Sequence, residues 1–420
     1  MDKHRKLFWF GAMAAVVAAA IAIVRLLPGN APELAAVKKD CGVGSVGLNS
    51  APVAVPSAGI DLALRMLNAA EHSAPSGCVS PLTLVQNMAM IYGGSGGTTR
   101  EQLAATFNFS GDPAKAIAAV AGTDRDLLER CRGSLAFAAA VMADGERAKF
   151  RPDFLKLLAG WPEVEVAPVD FSDVSGSCER INGWCRSATR GLIDSIVTPD
   201  DISKLSFAIF ISSLYFRDGW TAPFDDCGER SFAAVPGGAA VNIPFMTGRA
   251  RRQYAENDAW SYLELDFTGS PLICVLVLPK TAMTVDALIG ELNGGEFTQL
   301  GMAAQPCMVT ATVPKFKVEN TVDCLAMLRR LGMTDFGCLV PMAESRLPLE
   351  IGMIRQKNYF DFGLTGVEAA SVTGGMVSAM SMPPPLPEKS FTADRPFLWF
   401  LYDKADRTIL FAGWFAGIGQ

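Results

Sequence analysis

The sequence predicts an α+β fold, because helical patterns dominate the early part of the chain and apolar strand patterns the later part. It shows no repeating strand–helix–strand order of the kind that predicts a parallel sheet. Of its 420 residues, 50% are hydrophobic and 19% are charged, which excludes a disordered chain and provides a large core. After about residue 57 no linker or repeat occurs before residue 363, so we expect one large domain over residues 56–420.

The early helical segments are marked by apolar periodicity and by capping residues. The stretch 81–92 is nearly all apolar and therefore predicts a buried helix, with Ser80 as its cap and GGSGG at 93–97 as its end. Further helices are expected at 60–70, from 98 or 99 to 103, at 152–158 and at 181–193. Apolar or alternating runs predict strands at 135–142, 207–216, 272–278 and 309–313.

The N-terminus carries an uncharged segment, Leu7–Val24, preceded by Lys3, Arg5 and Lys6. A helix of this length spans about 27 Å, close to the ~30 Å hydrocarbon core of a membrane. The preceding basic residues place the rest of the chain on the exported side. We therefore expect residues 1–27 to be an uncleaved signal anchor, with a cleaved signal peptide and a buried core helix as alternatives. Residues 28–55, rich in Gly, Pro and Ala, are expected to be a linker.

Composition argues against several classes of function. The chain has two histidines, His4 and His72, too few for a zinc site and poorly suited to a His-dependent hydrolase. A hydrolase using one of the Ser or Cys residues is therefore the least favoured function. The ten cysteines show no CxxC pair or metal-ligand spacing, and we expect no metal or other cofactor. A net charge of −6 with scattered basic residues argues against a nucleic-acid partner.

Six segments, in this order, resemble those of the serpin family over residues 57–420. They are VSPLTLVQNMAMIYGGSGGTTREQL (79–103), INGWCRSATRGLI (181–193), FAIFISSLYFRDGWTAPF (207–224), LELDFTGSPLICVLVLPK (263–280), VPKFKVENTVDCLAMLRRLGMTDF (313–336) and FTADRPFLWFLYDKADRTILFAGWF (391–415). The resemblance implies three β-sheets, about eight or nine helices, a monomer, and an exposed reactive-centre loop.

The segment GVEAASVTGGMVSAMSMPPPLPEKSF, residues 366–391, is a long Gly-, Ala-, Ser- and Pro-rich stretch between two strands. Unstructured segments of this length inside a compact domain are uncommon and usually functional. In serpins this segment is the bait, and its first half inserts into the central sheet after cleavage. The resemblance places the loop at about 363–390 and the cleaved bond at Met380–Ser381. Counting back fifteen residues gives the hinge: Gly366, Val367, Glu368, Ala369 and Ala370.

Strand alternation tests whether this loop is able to insert. Alternate residues of a strand face one side, and the set that would face inward is Val367, Ala369, Ser371 and Thr373, all small or medium and uncharged. The charged Glu368 falls on the outward set. The pattern favours an inhibitor that traps its target's acyl-enzyme; the alternative is a non-inhibitory serpin acting as a binding, carrier or chaperone protein.

The bait predicts the class of target. No Lys or Arg lies between Gly366 and Glu388, so a trypsin-like pocket has no cation to bind. Met380 suits the apolar primary pocket of an elastase-, chymotrypsin- or subtilisin-like serine protease, which is the expected partner. Ala379–Met380 and Met376–Val377 are rival bonds, and Met382–Pro383 is a poor one.

The sequence also departs from the family at the region where the sheet opens. Gln356 and Ser212 stand where a His and an Asn are common, and Thr83 replaces a Ser, whereas Ser80 and Pro81 match. Each replacement is able to form hydrogen bonds, so a network is expected to persist with different partners. Leu364 and Thr365 replace an acidic pair near Trp220, which leaves the resting position of the loop open. The basic residues Arg249, Arg251 and Arg252 are expected to form a solvated turn, with contact to a polyanion as the alternative.

Overall fold

The computed structural model describes residues 58–418, except 110, 146–147, 190, 192, 204–205, 346–348, 350 and 368–384. The expected signal anchor (1–27) and linker (28–55) lie outside the described residues. In the part of the chain that is described, no helix is both long and apolar enough to cross a membrane.

Nine α-helices occur within these described ranges. They are α1 (Ile60–Ala69), α2 (Pro81–Gly94), α3 (Gly97–Phe107), α4 (Pro113–Cys131), α5 (Pro152–Ala159), α6 (Val174–Ala188), α7 (Val285–Glu291), α8 (Gly294–Ala303) and α9 (Cys324–Arg330). Helix α2 is buried along its whole length and packs against the central sheet, as its apolar sequence predicts. Ser80 caps it by accepting a hydrogen bond from Thr83 N at 3.3 Å.

Eighteen strands are present among the described residues. They are β1 (Ser76–Val79), β2 (Leu135–Asp144), β3 (Ala148–Phe150), β4 (Val164–Val169), β5 (Ala208–Phe216), β6 (Asp218–Gly219), β7 (Asp225–Phe232), β8 (Val241–Glu256), β9 (Trp260–Asp266), β10 (Ile273–Pro279), β11 (Gln305–Pro314), β12 (Phe316–Asp323), β13 (Ala343–Ser345), β14 (Met353–Phe362), β15 (Gly366–Val367), β16 (Glu388–Thr392), β17 (Phe397–Asp403) and β18 (Thr408–Phe415).

The described strands form three sheets. One has the order β1-β18-β17-β10-β9-β8-β11-β16, with β7 beside β8. The central sheet has the order β4-β2-β5-β14-β15-β6, with β12 beside β14, and the third pairs β13 with β3. Six of the nine described helices precede β5, and most strand pairs are antiparallel rather than parallel strands that alternate with helices, so the predicted α+β class is confirmed.

The two faces of the central sheet are buried against different partners. On β5, Phe210 and Leu214 belong to the main core, whereas Ile209 and Ile211 pack in a smaller cluster with Ile181 of α6. Strand alternation therefore gives each position of this sheet a defined side. The even-numbered residues of β5 and β14 face the main core, and the odd-numbered ones face the α6 side.

The ends of several elements differ from the sequence expectation, and two of these differences have a clear local cause. Helix α6 begins at Val174 rather than at 181, because the Asp173 side chain accepts a hydrogen bond from Gly176 N and so caps an earlier turn. Helix α2 includes the first two residues of GGSGG and ends at Gly94, followed by the C-cap Ser95, whose N–H bonds to Tyr92 O. Both glycines pack closely: a β-carbon on Gly94 would lie 2.6 Å from the side chain of Met342.

Candidate functional site

The first two predicted hinge residues already form part of the central sheet. Gly366 and Val367 make the short strand β15, in which Val367 pairs antiparallel with Phe362 of β14. On its other side β15 pairs with β6, Gly366 opposite Gly219 and Val367 opposite Asp218. Val367 is 1% exposed. The remaining hinge residues Glu368, Ala369 and Ala370, and the bond Met380–Ser381, lie outside the described residues.

A tight turn joins β14 to β15. Gly363 N donates a hydrogen bond to Gly366 O at 3.0 Å. Gly366 has a φ of 153°, a conformation that a residue with a side chain rarely adopts. A glycine at this position therefore lets the chain reverse at the top of the sheet and begin a new strand.

The segment 220–224 holds this turn through the backbone. Trp220 N donates to Thr365 O and Phe224 N to Leu364 O, each at 2.9 Å. The indole Nε1 of Trp220 donates to Gly363 O, also at 2.9 Å. The Trp220 ring is buried and stacks on Phe267, with 4.6 Å between the ring centroids. Because all three acceptors are main-chain carbonyls, the turn is held without the acidic side chains that the family commonly places there.

Below the turn, strands β14 and β5 pair directly and keep the register found at the turn. Strand β14 pairs directly with β5 in parallel, up to Lys357 opposite Ser213. Higher up, β15 separates Phe362 from Asp218. The offset between the two flanking strands is 144 residues in both places (357 minus 213, and 362 minus 218). An extended β15 would therefore separate β14 from β5 without requiring either strand to slide.

A buried polar network ties this part of the sheet to helix α2. Gln356 Oε1 accepts from Ser80 N at 2.7 Å. Gln356 Nε2 donates to Ser80 O at 2.8 Å and to Thr83 Oγ1 at 2.6 Å. Pro81 occupies the first turn of α2, where its missing N–H leaves no bond unmade. The predicted residues Ser80, Pro81, Thr83 and Gln356 thus meet at one place.

Ser212 belongs to the same region but has a different partner. Its Oγ accepts from Asn87 Nδ2 at 3.0 Å, so α2 contacts β5 as well as β14. Asn358 Nδ2 donates to Cys78 O at 2.8 Å and to Gln356 Oε1 at 3.2 Å. Sequence reasoning missed Asn87 and Asn358. Two patterns could have identified them. Asn87 is an amide within an otherwise apolar helix, and Asn358 occupies an inward-facing position of an alternating strand.

Three buried polar atoms in this region have no hydrogen-bond partner within the described residues. They are Asn87 Oδ1, Ser213 Oγ and Asn358 Oδ1. Buried polar atoms are usually paired, so each of these retains unused bonding capacity. The two amide oxygens can accept hydrogen bonds from donors brought between β14 and β5.

The described residues offer little of what a hydrolytic site needs. Both ring nitrogens of His72 are engaged, Nδ1 with Asp286 Oδ1 at 2.7 Å and Nε2 with Leu67 O at 2.8 Å. Burial raises the pKa of the Cys78 and Cys274 thiols, which disfavours a thiolate nucleophile. Within the described ranges no cluster of three or more His, Cys, Asp or Glu residues could hold a metal ion.

Comparison with known proteins identifies the family. A family profile described as Serpin (serine protease inhibitor) matches residues 57–417. The chain belongs to the serpin family. The predicted fold, with three sheets and eight or nine helices, is thereby confirmed.

Similar serpins come from distant organisms. Serpin-Z2A of Triticum aestivum is 26% identical over 375 residues, covering 84% of this chain and 93% of the relative. The leukocyte elastase inhibitor of Homo sapiens is 25% identical over 388 residues, covering 86% and 98%. Among solved structures, Serpin48 of Tenebrio molitor is 25% identical with a TM-score of 0.73, covering 86% of this chain and 96% of its own.

One structural neighbour is described as a complex with a small ligand. Human thyroxine-binding globulin in complex with thyroxine has a TM-score of 0.75 at 18% identity, covering 86% of this chain and 98% of its own. At that identity the likeness shows the serpin fold alone. Relatives of this chain are mostly protease inhibitors and not enzymes, but the fold also includes carriers.

Proposed function

We propose that this serpin is a suicide-substrate inhibitor of serine proteases with an apolar primary pocket. The observation that carries the proposal is the position of Gly366 and Val367, which occupy the top of the central sheet in the register that full insertion would continue. Because the first loop residues already pair with β14 and β6, the rest of the loop would continue an existing register after cleavage.

The register defines where each later residue would lie. Continuing β15 along β14 would set Ala369 opposite Phe360, Ser371 opposite Asn358 and Thr373 opposite Gln356. Phe360, Asn358 and Gln356 are all buried on the main-core side, so their new neighbours would face the same way. This is the inward set that alternation predicts from sequence, and none of its members is charged. Ser371 would bring a hydroxyl donor beside the unpartnered Asn358 Oδ1.

The chemical step would be the target's own. Its catalytic serine attacks the carbonyl carbon of Met380, the bond to Ser381 N breaks, and the protonated amine of Ser381 leaves with the C-terminal part of the loop. Insertion of the freed strand would carry the acyl-enzyme away before water releases it. The new strand would gain hydrogen bonds to β14 and β5, each worth about 0.5–1.5 kcal/mol net.

Specificity would follow from Met380 and from its surroundings. An unbranched apolar side chain suits an elastase-, chymotrypsin- or subtilisin-like pocket, and the absence of Lys and Arg between Gly366 and Glu388 disfavours trypsin-like enzymes. The leukocyte elastase inhibitor among the relatives supports this class of target.

We further propose that the domain is exported and tethered through residues 1–27 or secreted, on the basis of the uncharged segment Leu7–Val24.

A gel assay tests the proposal. The full chain is incubated with chymotrypsin, pancreatic elastase or subtilisin, and with trypsin for comparison, and the products are separated in SDS. We expect an SDS-resistant complex of serpin and protease with at least one of the first three and none with trypsin. Quantitative clipping of the loop without a complex would contradict the proposal and favour the non-inhibitory alternative.

A further inference from the structure

Arg252 is a buried cation close to the hinge. The sequence expectation of a solvated turn at 249–252 is wrong: these residues lie within β8, and Arg252 is 4% exposed. A strand of alternating faces turns every second side chain inward, which buries Arg252 while Arg249 reaches the surface and pairs with Glu388 at 2.5 Å.

The guanidinium of Arg252 binds backbone carbonyls from three parts of the fold. Nη1 donates to Gly248 O at 2.8 Å and to Val309 O at 3.4 Å, and Nη2 donates to Ala222 O at 3.4 Å. These acceptors are neutral, although a buried charge is costly unless it is well compensated. Burial lowers the pKa of Arg252 to about 10, with Asp266 acting in the opposite direction, so the group stays charged at neutral pH.

The same guanidinium supports the aromatic ring next to the loop. It lies over the Phe224 ring, 4.6 Å from the centroid. Gly248 makes this packing close, because a β-carbon there would meet Phe224 Cδ1 and Pro223 O at 3.2 Å. Arg252 therefore holds segment 220–224 at Ala222 and at Phe224. Within that segment, Trp220 N and Phe224 N donate hydrogen bonds to the turn that precedes Gly366.

We propose that Arg252 is a positioning residue for the loop hinge, fixing segment 220–224 so that the turn at 363–366 presents β15 in the register for insertion. The inference rests on the proposed inhibitory function. Without Arg252 the turn would no longer be held in one position, and insertion of the loop into the central sheet would start later after cleavage. More acyl-enzyme would then hydrolyse before it is trapped, and the serpin would be consumed as a substrate.

Two substitutions at this site and one elsewhere test the proposal. Arg252→Met keeps an apolar stem without donors, and Arg252→Lys keeps the charge but loses the planar set of donors. The control is Arg395→Met, since Arg395 also donates to a backbone carbonyl, Pro279 O, but not to segment 220–224. The measurements are hydrogen exchange of the Trp220 and Phe224 amides, the stoichiometry of inhibition and the rate of loop cleavage.

We expect Arg252→Met to speed exchange of both amides at least tenfold and to raise the stoichiometry of inhibition at least twofold. The rate of loop cleavage should be unchanged, and Arg252→Lys should restore part of each effect. Amides of β17 should exchange as in the parent protein, which separates a local change from general destabilisation. The Arg395→Met control should leave the Trp220 and Phe224 amides and the stoichiometry of inhibition as they are.

Unchanged exchange at Trp220 and Phe224, or faster exchange with an unchanged stoichiometry, would overturn the positioning role. If neither Arg252 variant folds, Gly248→Ala takes its place, because its methyl group would push Phe224 away from the turn. If the parent protein forms no complex with any protease, the proposed function fails. The exchange measurement then still decides whether Arg252 orders segment 220–224.

Discussion

Val367 pairs with Phe362 across the top of the central sheet, and both side chains are buried. The pair is the first one between β14 and the segment that we propose as the base of the reactive-centre loop. Because direct neighbours in an antiparallel pair face the same side, it also fixes which later loop residues would be buried. The resting structure thus contains the start of the strand that the proposed mechanism would complete.

The proposed cleaved bond predicts a change of specificity. Met380→Arg should create inhibition of trypsin-like proteases and weaken inhibition of elastase-like ones, because a guanidinium suits a pocket with a buried carboxylate and not an apolar one. Complex formation on SDS gels with trypsin and elastase measures the change. Sequencing the peptide released from the parent protein provides the check: a first residue other than Ser381 would show that another bond is cleaved.

Loop cleavage should raise the melting temperature substantially. The cleaved chain can complete its central sheet, gaining backbone hydrogen bonds at about 0.5–1.5 kcal/mol each and apolar burial at about 25 cal/mol per Å². Calorimetry before and after a single cut in the loop measures the difference, with mock-treated protein as the control. An equal or lower melting temperature after clean cleavage would support a carrier.

The Gln356 network should contribute measurably to stability. Gln356→Met removes four hydrogen bonds and leaves Ser80 N–H buried without its acceptor, so we expect a loss of about 2–4 kcal/mol in the free energy of unfolding. Gln305→Met, at an exposed position of β11, is the matched control and should change stability little. Equal urea midpoints for the two variants would show that the network carries no net stability.

A buried carboxyl predicts a pH dependence of stability. Burial raises the pKa of Asp124 from 3.8 to about 7; hydrogen bonds from Gln86 and Trp161 oppose this rise, and the nearby charge of Glu163 adds to it. The native state therefore holds a proton that the unfolded chain releases above pH 4, and stability from this group falls as pH rises from 4 to 7. The fall is about 4 kcal/mol at most and levels off above pH 7.

Asp124→Asn imitates the protonated form and should remove this dependence. The amide oxygen can accept the two bonds that Asp124 Oδ2 receives, each at 3.0 Å. We expect the variant to match the parent protein near pH 4 and to exceed it in unfolding free energy at pH 8. Asp153→Asn, exposed on α5, is the control. A gain that is the same at both pH values would contradict the assignment.

Much of the fold follows from local patterns in the sequence. The all-apolar run before GGSGG predicts buried α2, and FAIFISSLYF predicts β5, found at Ala208–Phe216. Helix α4, Pro113–Cys131, was missed because its buried face includes small residues and the polar Asp124 rather than a continuous apolar stripe. The family resemblance supplied the division into three sheets, which no local pattern specifies.

The site was predicted in part. Residues 80, 81, 83 and 356 do meet, but Ser212 bonds to Asn87 of α2, because contacts between a helix and the sheet depend on tertiary packing. The hinge position could not be read from Leu364 and Thr365, because their backbone carbonyls make the contacts and any residue supplies those. The sequence expectation placed Arg252 in solvent because its side chain is charged. In the structure, the alternation of side chains along β8 turns it into the interior.

Two neighbouring substitutions test the central claim most directly. Ala369→Arg puts a guanidinium on the side that full insertion would bury beside Phe360, and an unpaired buried charge costs several kcal/mol. Ala370→Arg places the same charge on the opposite side, beside half-buried Tyr359. Both residues precede the proposed bond, so effects on protease docking are matched.

The measurement is the fraction of cleaved serpin that is recovered as SDS-resistant complex with the same protease. We expect Ala369→Arg to be clipped at the parent bond without a complex, while Ala370→Arg retains most of its inhibition. Equal inhibition by both variants would contradict loop insertion as the mechanism. The reverse result, with Ala370→Arg inactive and Ala369→Arg inhibitory, would contradict the register that the Val367–Phe362 pair defines.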